Sequence, residues 1–238
     1  MILQPIARAS IADEVFAQLS EQIVSDAIAA GETLPSERKL AEAFGVSRPV
    51  VREALRRLEQ AGLVQVRHGD ATVVRDFRRA AGPELLPLLV APGGRLDAAV
   101  IGSVLEARQA IGTEIAGLAG RKGGTEQLRA DLAAAAAAVA GGADPVARQR
   151  LALEFWEIVV DLADSLAYRL IFNSLRRVYE PAIEALAAVM DAETGRADLY
   201  GQLREAILAG DESGARARAA ELLTLGSNAF AAALAELS

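Results

Sequence analysis

The sequence predicts a mainly α-helical protein in which an N-terminal winged helix-turn-helix precedes an all-helical bundle. Two observations predict the N-terminal fold: three short helical segments separated by capping and breaking residues, and two β-prone runs after the third segment. A third observation predicts the bundle, because the chain after residue 96 has helical rather than strand character. We expect a winged domain over residues 1–77, a linker with a short helix over 78–96 and a helical domain over 97–238.

The first two helices are predicted from apolar spacing and from the residues at their ends. Apolar residues recur every four positions from Ile11 to about Ala29, and Gly31 then stops the helix. Ser36 has the side chain of an N-cap, and it precedes a short helix over Glu37–Phe44. Gly45 ends this second helix at a position that favours a left-handed residue.

The third helix and a hairpin complete the N-terminal pattern. A second N-cap, Ser47, precedes a helix from Arg48 to about Ala61, and Pro49 lies in the first turn, where a missing N–H is harmless. The inner face of this helix is apolar, and arginines line the other face. Short β-prone runs at 63–67 and 72–75 then predict a hairpin, which forms the wing.

Helices are predicted for the rest of the chain. Proline residues and a Gly-Gly pair interrupt the segment from Arg78 to Gly94, in which we expect a short helix around Glu84–Val90. The helices expected beyond the linker are Asp97–Lys122, Glu126–Ala140, Pro145–Asp164, Leu166–Ala188, Ala192–Ala209 and Glu212–Leu237. The breaks between them fall at glycine pairs, near Pro181 and at Gly210.

The composition excludes several classes of function. The chain has no Cys, which excludes disulfides, thiolate metal sites and a cysteine nucleophile. Its single histidine, His68, excludes metal sites that need two or three imidazoles from one chain, and it leaves little room for a Ser-His-Asp hydrolase. We see neither a signal peptide nor an apolar stretch long enough to span a membrane, so we expect a soluble cytoplasmic protein without a membrane partner.

The net charge of −7 is unevenly distributed along the chain. Residues 1–79 contain 11 basic and 11 acidic groups, so the excess of acid lies in residues 80–238. Within the first part, residues 48–79 contain eight Arg against four acidic residues. A local basic patch on an acidic chain can still bind the phosphates of nucleic acid. Charge alone is a weak indication, because charge clusters are commonly solvated surface.

The most specific pattern lies between residues 31 and 64. With the variable positions omitted, it is LPSER–LA–FGVSR–VREAL–LE–GLV. This pattern resembles the DNA-binding domain of the GntR family of bacterial regulators, and the resemblance continues through the wing. It implies a transcription regulator that binds double-stranded operator DNA. A winged helix that serves only protein contacts is the alternative.

The resemblance and the physical chemistry of the third helix indicate the same DNA-binding residues. Arg48 and Arg52 are four residues apart and share a helix face, and each can bond the O6 and N7 atoms of a guanine. Arg56 and Arg57 are weaker candidates. The wing sequence HGDATVVRDF lacks the second glycine of most GntR members and resembles the wing of FadR-type regulators, which implies minor-groove contacts. The predicted DNA-binding residues are Ser47, Arg48, Pro49, Val50 and Arg52, together with Arg38, His68 and Gly69, which the resemblance alone implies.

The all-helical C-terminal part resembles the FadR/FCD class of effector domains. Many FCD domains hold a metal with one Asp and three His, and alignment on the sequence AILAGD at 206–211 gives the corresponding positions here. They are occupied by Ala152, Trp156, Tyr200 and Leu222. None of these side chains is a good ligand for a divalent metal, so we predict no metal and no cofactor.

Apolar and aromatic residues at the metal positions suggest a site for a hydrophobic effector. The sequence DSLAYRLIFNSLRRVY at 164–179 is similar to a helix of FadR, although the match is weaker than in the DNA-binding domain. The predicted ligand-binding residues are Arg108, Trp156, Tyr168, Asn173, Tyr179, Tyr200, Leu223, Gly226 and Phe230. The last three differ in type from their FadR counterparts. Trp156, Tyr200 and Phe230 could instead be plain core, and Tyr168, Asn173 and Tyr179 could be helix-packing groups. Glu106 or Glu114 could pair with Arg108.

These observations predict a homodimeric transcription regulator. We expect a long-chain acyl-CoA or a related lipid metabolite to bind the helical domain and to release the operator DNA. One alternative is a regulator of the same fold that responds to a small carboxylate, with Arg108 as its anchor. A second alternative is a DNA-binding dimer without an effector. An enzyme is the third, and we find no motif for one.

Overall fold

The structure is a computed structural model that describes residues 11–66, 71–92 and 95–236. The chain divides into two compact units, Met1–Asp97 and Ala98–Ser238. Both are built mainly from helices, which confirms the predicted fold class. Among the described helices, none combines the length and the apolar character that crossing a membrane requires.

The N-terminal unit is a three-helix domain followed by a hairpin and short helices. Strands β1 and β2 are antiparallel, and Val64 lies opposite Val74. The elements in chain order are α1 (Ile11–Val24), α2 (Glu37–Phe44), α3 (Arg48–Gln60), β1 (Val64–Val66), β2 (Thr72–Val74), α4 (Phe77–Ala80), a 3-10 turn (Pro83–Leu85) and α5 (Leu86–Val90). The order of helix, helix, helix and hairpin is that of a winged helix-turn-helix.

The segment after α1 differs from the prediction. The helix ends at Val24 rather than near Ala29, because Asp26 adopts a left-handed conformation with φ of 57°. The chain then runs beside β2, where the N–H of Gly31 donates to the carbonyl of Val74 and the N–H of Val74 donates to that of Glu32. Residues 31–34 therefore pair with β2 as a short third segment of the sheet.

Helix α2 has the predicted bounds, and its two caps explain them. The hydroxyl of Ser36 accepts a hydrogen bond from the N–H of Lys39, and Gly45 adopts the left-handed conformation at the other end. Helices α1 and α3 pack against each other through buried apolar side chains. Their buried apolar residues include Val15, Leu19, Ile23, Val51, Ala54, Leu55 and Leu58. This core fixes the orientation of α3.

Gly62 links α3 to the hairpin under two constraints. Its φ is +74°, and a Cβ atom at this position would lie 2.9 Å from the carbonyl oxygen of Ala80. We expect Gly62→Ala to lower the free energy of unfolding by about 1–3 kcal/mol, measured by urea denaturation. Gly31→Ala is the matched control, because Gly31 also has a positive φ but meets no atom within 4 Å. Equal losses in the two variants would show that the close contact contributes nothing.

Within the described residues 98–236, the C-terminal unit contains seven long helices. They are α6 (Ala98–Lys122), α7 (Glu126–Ala140), α8 (Pro145–Leu162), α9 (Leu166–Tyr179), α10 (Ile183–Thr194), α11 (Ala197–Ala209) and α12 (Glu212–Glu236). The helix predicted over 166–188 is in fact α9 and part of α10, joined by a 3-10 turn that contains Pro181. The helix predicted to start at Ala192 starts at Ala197, because α10 continues to Thr194 and the break lies at Gly195.

The core of this unit is formed where α6, α7, α8, α11 and α12 pack together. Phe155 lies at its centre and makes edge-on contacts with Trp156 and Tyr200, at ring-centre distances of 6.1 and 5.1 Å. Such edge-to-face pairs add to the stabilisation from burial. Trp156 and Tyr200 are therefore part of one packed core, and Tyr168 packs against it.

Candidate functional site

The first candidate site is the exposed face of α3. This helix buries Val51, Ala54, Leu55 and Leu58 on one side, so that Arg48 and Arg52 are held on the opposite, exposed side. Ser47 and Pro49 are also exposed, and Val50 is half-buried against the core. Long donors in the first turns of an exposed helix are the arrangement that reads the major groove.

Glu37, at the start of α2, holds both arginines of this face. Arg52 donates from Nε and Nη2 to the two carboxylate oxygens of Glu37, at 3.1 and 2.9 Å. The nearest guanidinium nitrogen of Arg48 lies 3.9 Å from the same carboxylate. The hydrogen bonds from Arg52, together with both positive charges, lower the pKa of Glu37. The carboxylate therefore orients Arg52 before any DNA is bound.

The other arginines of this region have different partners. Arg38 donates to Glu42 on its own helix at 2.7 Å, with both groups exposed. Arg56 forms a two-bond pair with Glu53, again on the surface. Arg57 instead pairs with Asp13 and lies over the ring of Phe16, and so it ties α3 to α1.

The structure describes Ser47 but not the predicted contact residues of the wing. Ser47 occupies the N-cap position of α3, but its hydroxyl makes no capping hydrogen bond, unlike that of Ser36. A hydroxyl at an exposed helix N-terminus suits a phosphate contact. His68 and Gly69, the predicted wing contacts, lie outside the described residues.

The second candidate site is the core of the C-terminal unit. The four positions that correspond to metal ligands, Ala152, Trp156, Tyr200 and Leu222, are all buried in this core. Nowhere in the described ranges do three His, Cys, Asp or Glu side chains come together as a metal site would require. The residues present do not fit a metal, because apolar and aromatic side chains occupy the ligand positions.

A buried ion pair lies beside these aromatic residues. Arg108 on α6 donates to both carboxylate oxygens of Glu193 on α10, at 2.9 and 2.5 Å. The side chain of Glu193 is 1% exposed and that of Arg108 is 21% exposed. Burial alone lowers the pKa of Arg108, but the pair with Glu193 outweighs it and raises that pKa overall. The partner of Arg108 is therefore Glu193, and neither Glu106 nor Glu114.

Several polar atoms around this pair lack hydrogen-bond partners. They are the indole nitrogen of Trp156, the hydroxyl of Tyr200 and the side-chain nitrogen of Gln149. Burial raises the pKa of the Tyr200 phenol, and the charge of Glu193 adds to the rise. The nearby indole of Trp156 offsets part of this rise in the pKa of Tyr200. The indole nitrogen and the Tyr200 hydroxyl nevertheless do not meet the geometry of a hydrogen bond. Unsatisfied donors at buried positions are unfavourable unless a further molecule meets them.

The remaining predicted ligand residues lie on α9 and α12. The hydroxyl of Tyr179 donates to the side-chain oxygen of Gln149 at 2.6 Å. Gly226 faces the ion pair, since a Cβ atom there would lie 2.2 Å from Glu193 Oε2. Leu223 is buried in the core and Tyr168 packs against it. Asn173 is half-buried on α9, and Phe230 is buried on α12.

Comparison with known proteins decides the family. Residues 11–74 match the model of the bacterial regulatory proteins of the gntR family. Residues 103–225 match the model of the FCD domain, which is about half of the chain. The chain belongs to the GntR family. It is therefore a DNA-binding transcription regulator with an FCD effector domain, and its family consists of regulators rather than enzymes.

The relatives of this regulator include two named bacterial regulators. It is 46% identical over 234 residues to the HTH-type transcriptional regulator Mce2R of Mycobacterium tuberculosis, covering 98% of this chain and 97% of the relative. It is 32% identical over 179 residues to the fatty acid metabolism regulator protein of Haemophilus influenzae, covering 75% of this chain and 71% of the relative. The resemblance to FadR-like members of the GntR family is thereby confirmed.

Solved structures share the fold of the regulator. One is described as Lar, which controls the expression of the Listeria monocytogenes agr system, with a TM-score of 0.59, 17% identity and coverage of 96% and 99% of the two chains. Another is a GntR family member from Pseudomonas syringae, with a TM-score of 0.51, 20% identity and coverage of 98% and 90%. At this identity, the likeness concerns the fold alone.

Three residues of the regulator were missed by sequence reasoning. Glu37 is part of the LPSER pattern, so its place directly after the N-cap Ser36 could have indicated it. Glu193 and Gln149 lie on helices that carry no motif, and they meet Arg108 and Tyr179 only through the packing of the bundle. Their sequence neighbourhoods contain no signal that would have singled them out.

Proposed function

We propose that the regulator is a homodimer that binds a pseudo-palindromic operator and releases it when a long-chain acyl-CoA enters the FCD core. The two-fold symmetry of the dimer would match that of the operator. The residues proposed to contact DNA are Arg38, Ser47, Arg48, Pro49, Val50, Arg52, His68 and Gly69. Those proposed to contact the effector are Arg108, Trp156, Tyr168, Asn173, Tyr179, Tyr200, Leu223, Gly226 and Phe230.

The geometry of α3 supports direct reading of bases. Arg48 and Arg52 are exposed on the same face, and the planar guanidinium of Arg52 already makes a two-bond contact with a planar acceptor, Glu37. The O6 and N7 atoms of guanine offer a similar two-acceptor edge. On the operator, Arg52 exchanges the carboxylate for the base. Ser47 and the start of α3 then contact the backbone phosphate.

The choice of effector rests on one observation, the pairing of Arg108 with Glu193. A small carboxylate would find the charge of Arg108 already neutralised, and it would also meet the buried negative charge of Glu193. The thioester carbonyl of an acyl-CoA is neutral, so it needs no free positive charge and is not repelled by Glu193. It can accept hydrogen bonds from the partnerless Trp156 indole and Tyr200 hydroxyl, while an acyl chain packs against the apolar core.

A relative supports the same class of effector. The protein of Haemophilus influenzae that is 32% identical to this chain is named a fatty acid metabolism regulator. The elements that would respond to an effector are α6, α10 and α12, because Arg108, Glu193 and Gly226 bring these three helices together. An acyl chain that separates these helices changes their spacing. It shifts the regulator from the conformation that binds the operator to the one that does not only if the two conformations bind the acyl chain with different affinity.

The test measures effector binding and operator release separately. Trp156 is the single tryptophan of the chain, so its emission reports directly on the core. We expect palmitoyl-CoA to change this emission and to release a labelled operator, whereas CoA alone and succinate do neither. Release by succinate would instead support the small-carboxylate regulator. No change with any of these compounds, while the operator stays bound, would contradict an acyl-CoA effector.

A further inference from the structure

Helix α9 has apolar residues on two opposite faces. On the inner face, Tyr168 and Phe172 pack against the core of the C-terminal unit. On the outer side, Leu166, Leu170 and Ile171 are 75%, 57% and 36% exposed. Because a helix turns about 100° per residue, Leu170 points almost directly away from Tyr168. Three large apolar side chains grouped on one short helix mark an interaction surface rather than scattered surface residues.

The spacing along this outer face is that of a helix–helix contact. The exposed residues 166, 167, 170, 171 and 177 recur at intervals of three, four and seven, which places them on one side of the helix. Ala167 is exposed and small, which allows another helix to approach closely. Ser174 is buried, and its hydroxyl is bonded to the carbonyl of Leu170.

The charges at the two ends of this face are opposite. Asp164, just before α9, is 90% exposed on its side chain, and its contact with Lys122 Nζ is long, at 3.9 Å. Arg177, in the last turn, is exposed and bonds the Ser174 hydroxyl. Arg177 lies about 10.5 Å beyond Leu170 along the helix, and Asp164 lies two residues before the first residue of α9. The nearby Arg169 and Arg176 are already paired with acidic residues of the same unit.

We propose that this outer face of α9 packs antiparallel against the same face of a second copy of the chain. A two-fold axis near Leu170 brings Asp164 of each copy next to Arg177 of the other, whereas a parallel pair would place like charges together. Such a self-complementary contact is what a closed two-fold dimer requires. The inference rests on the proposed homodimer and names the surface that forms it.

The first test is the dimer dissociation constant of the full chain, measured by sedimentation equilibrium without DNA. We expect Leu170→Asp to weaken dimerisation by about 100-fold or more, because it buries a charge opposite its own copy. Ala134→Asp is the matched control, since Ala134 is an exposed helical residue on α7. Circular dichroism checks that both variants fold. An unchanged dissociation constant for Leu170→Asp would overturn the inference.

Cross-linking tests the same contact without weakening it. The chain has no cysteine, so a single Leu170→Cys variant carries one thiol per copy. A two-fold axis near this residue brings the two thiols within disulfide range, and mild oxidation should give mainly covalent dimer. The Ala134→Cys variant should remain uncross-linked. Equal and low yields from both would exclude this antiparallel contact.

Exchange of charges tests the orientation. Asp164→Arg places two arginines side by side at each end of the interface, and we expect several-fold weaker dimerisation at low salt. Adding Arg177→Asp to the same chain restores opposite charges and should restore the affinity. Failure of the double variant to recover would argue against the antiparallel arrangement.

These outcomes separate the interface from the proposed function. If the wild-type chain is monomeric both free and on its operator, the proposed homodimer itself fails. If the wild-type chain is a dimer and Leu170→Asp remains one with unchanged affinity, only the α9 interface fails. Operator release by palmitoyl-CoA is measured independently of either result.

Discussion

Replacing Arg52 by Ala is expected to weaken operator binding by roughly 30-fold to 10⁴-fold. The estimate assumes the loss of one two-bond arginine–guanine contact in each half-site, at about 1–3 kcal/mol per contact. The fold should be unaffected, because the pair of Arg52 with Glu37 lies at the surface and such pairs contribute at most about 1 kcal/mol. The measurement is a fluorescence-anisotropy titration of a labelled operator at fixed salt.

Arg56→Ala is the matched control for this prediction. Arg56 lies one turn further along the same helix, is similarly exposed and pairs with Glu53. The Arg56→Ala substitution removes one positive charge from the same helix, as Arg52→Ala does. It should therefore reproduce only the loss of operator affinity that comes from weaker attraction to the phosphates. Equal losses for the two variants would mean that Arg52 contributes charge rather than base recognition.

Replacing Glu193 by Ala is expected to lower the free energy of unfolding by about 3–5 kcal/mol. The substitution leaves the guanidinium of Arg108 in a mostly buried position without its two-bond carboxylate partner. Removing one member of a buried ion pair has an effect of this size. Thermal and urea unfolding measure it, followed by circular dichroism and by the emission of Trp156, which lies in the same core.

Glu184→Ala provides the control on the same helix. Glu184 pairs with Arg150, but both side chains are exposed, so we expect a loss below about 1 kcal/mol. The double variant Arg108→Met/Glu193→Leu should regain most of the stability, since it removes both charges together. A Glu193→Ala loss no greater than the Glu184→Ala loss would contradict a buried ion pair.

The N-terminal unit was largely predictable because its signals are local. Ser36, Gly45 and Pro49 mark helix ends through their own conformational preferences, and the bounds of α2 follow directly. The end of α1 was not predictable in this way. Asp26 adopts a left-handed turn there, and residues 31–34 are extended because they pair with β2, a contact that depends on the folded sheet.

The effector core was predictable only in part. The aromatic residues at the former metal positions indicated an apolar site, and they do lie together in one core. The partner of Arg108 could not be found from local sequence, because Glu193 lies 85 residues away on another helix. The same holds for Gln149, whose partner Tyr179 is brought near by the packing of the bundle rather than by sequence spacing.

The contact between Glu37 and Arg52 bears on how a regulator distinguishes its operator from the rest of a chromosome. Random DNA offers Arg52 mainly phosphates, which must compete with a carboxylate that already satisfies Nε and Nη2. A correctly placed guanine replaces both bonds at once. If Arg52 contacts guanine as proposed, Glu37 opposes binding at every site and only the matching sequence compensates for it, so that the carboxylate would raise the ratio of specific to non-specific occupancy.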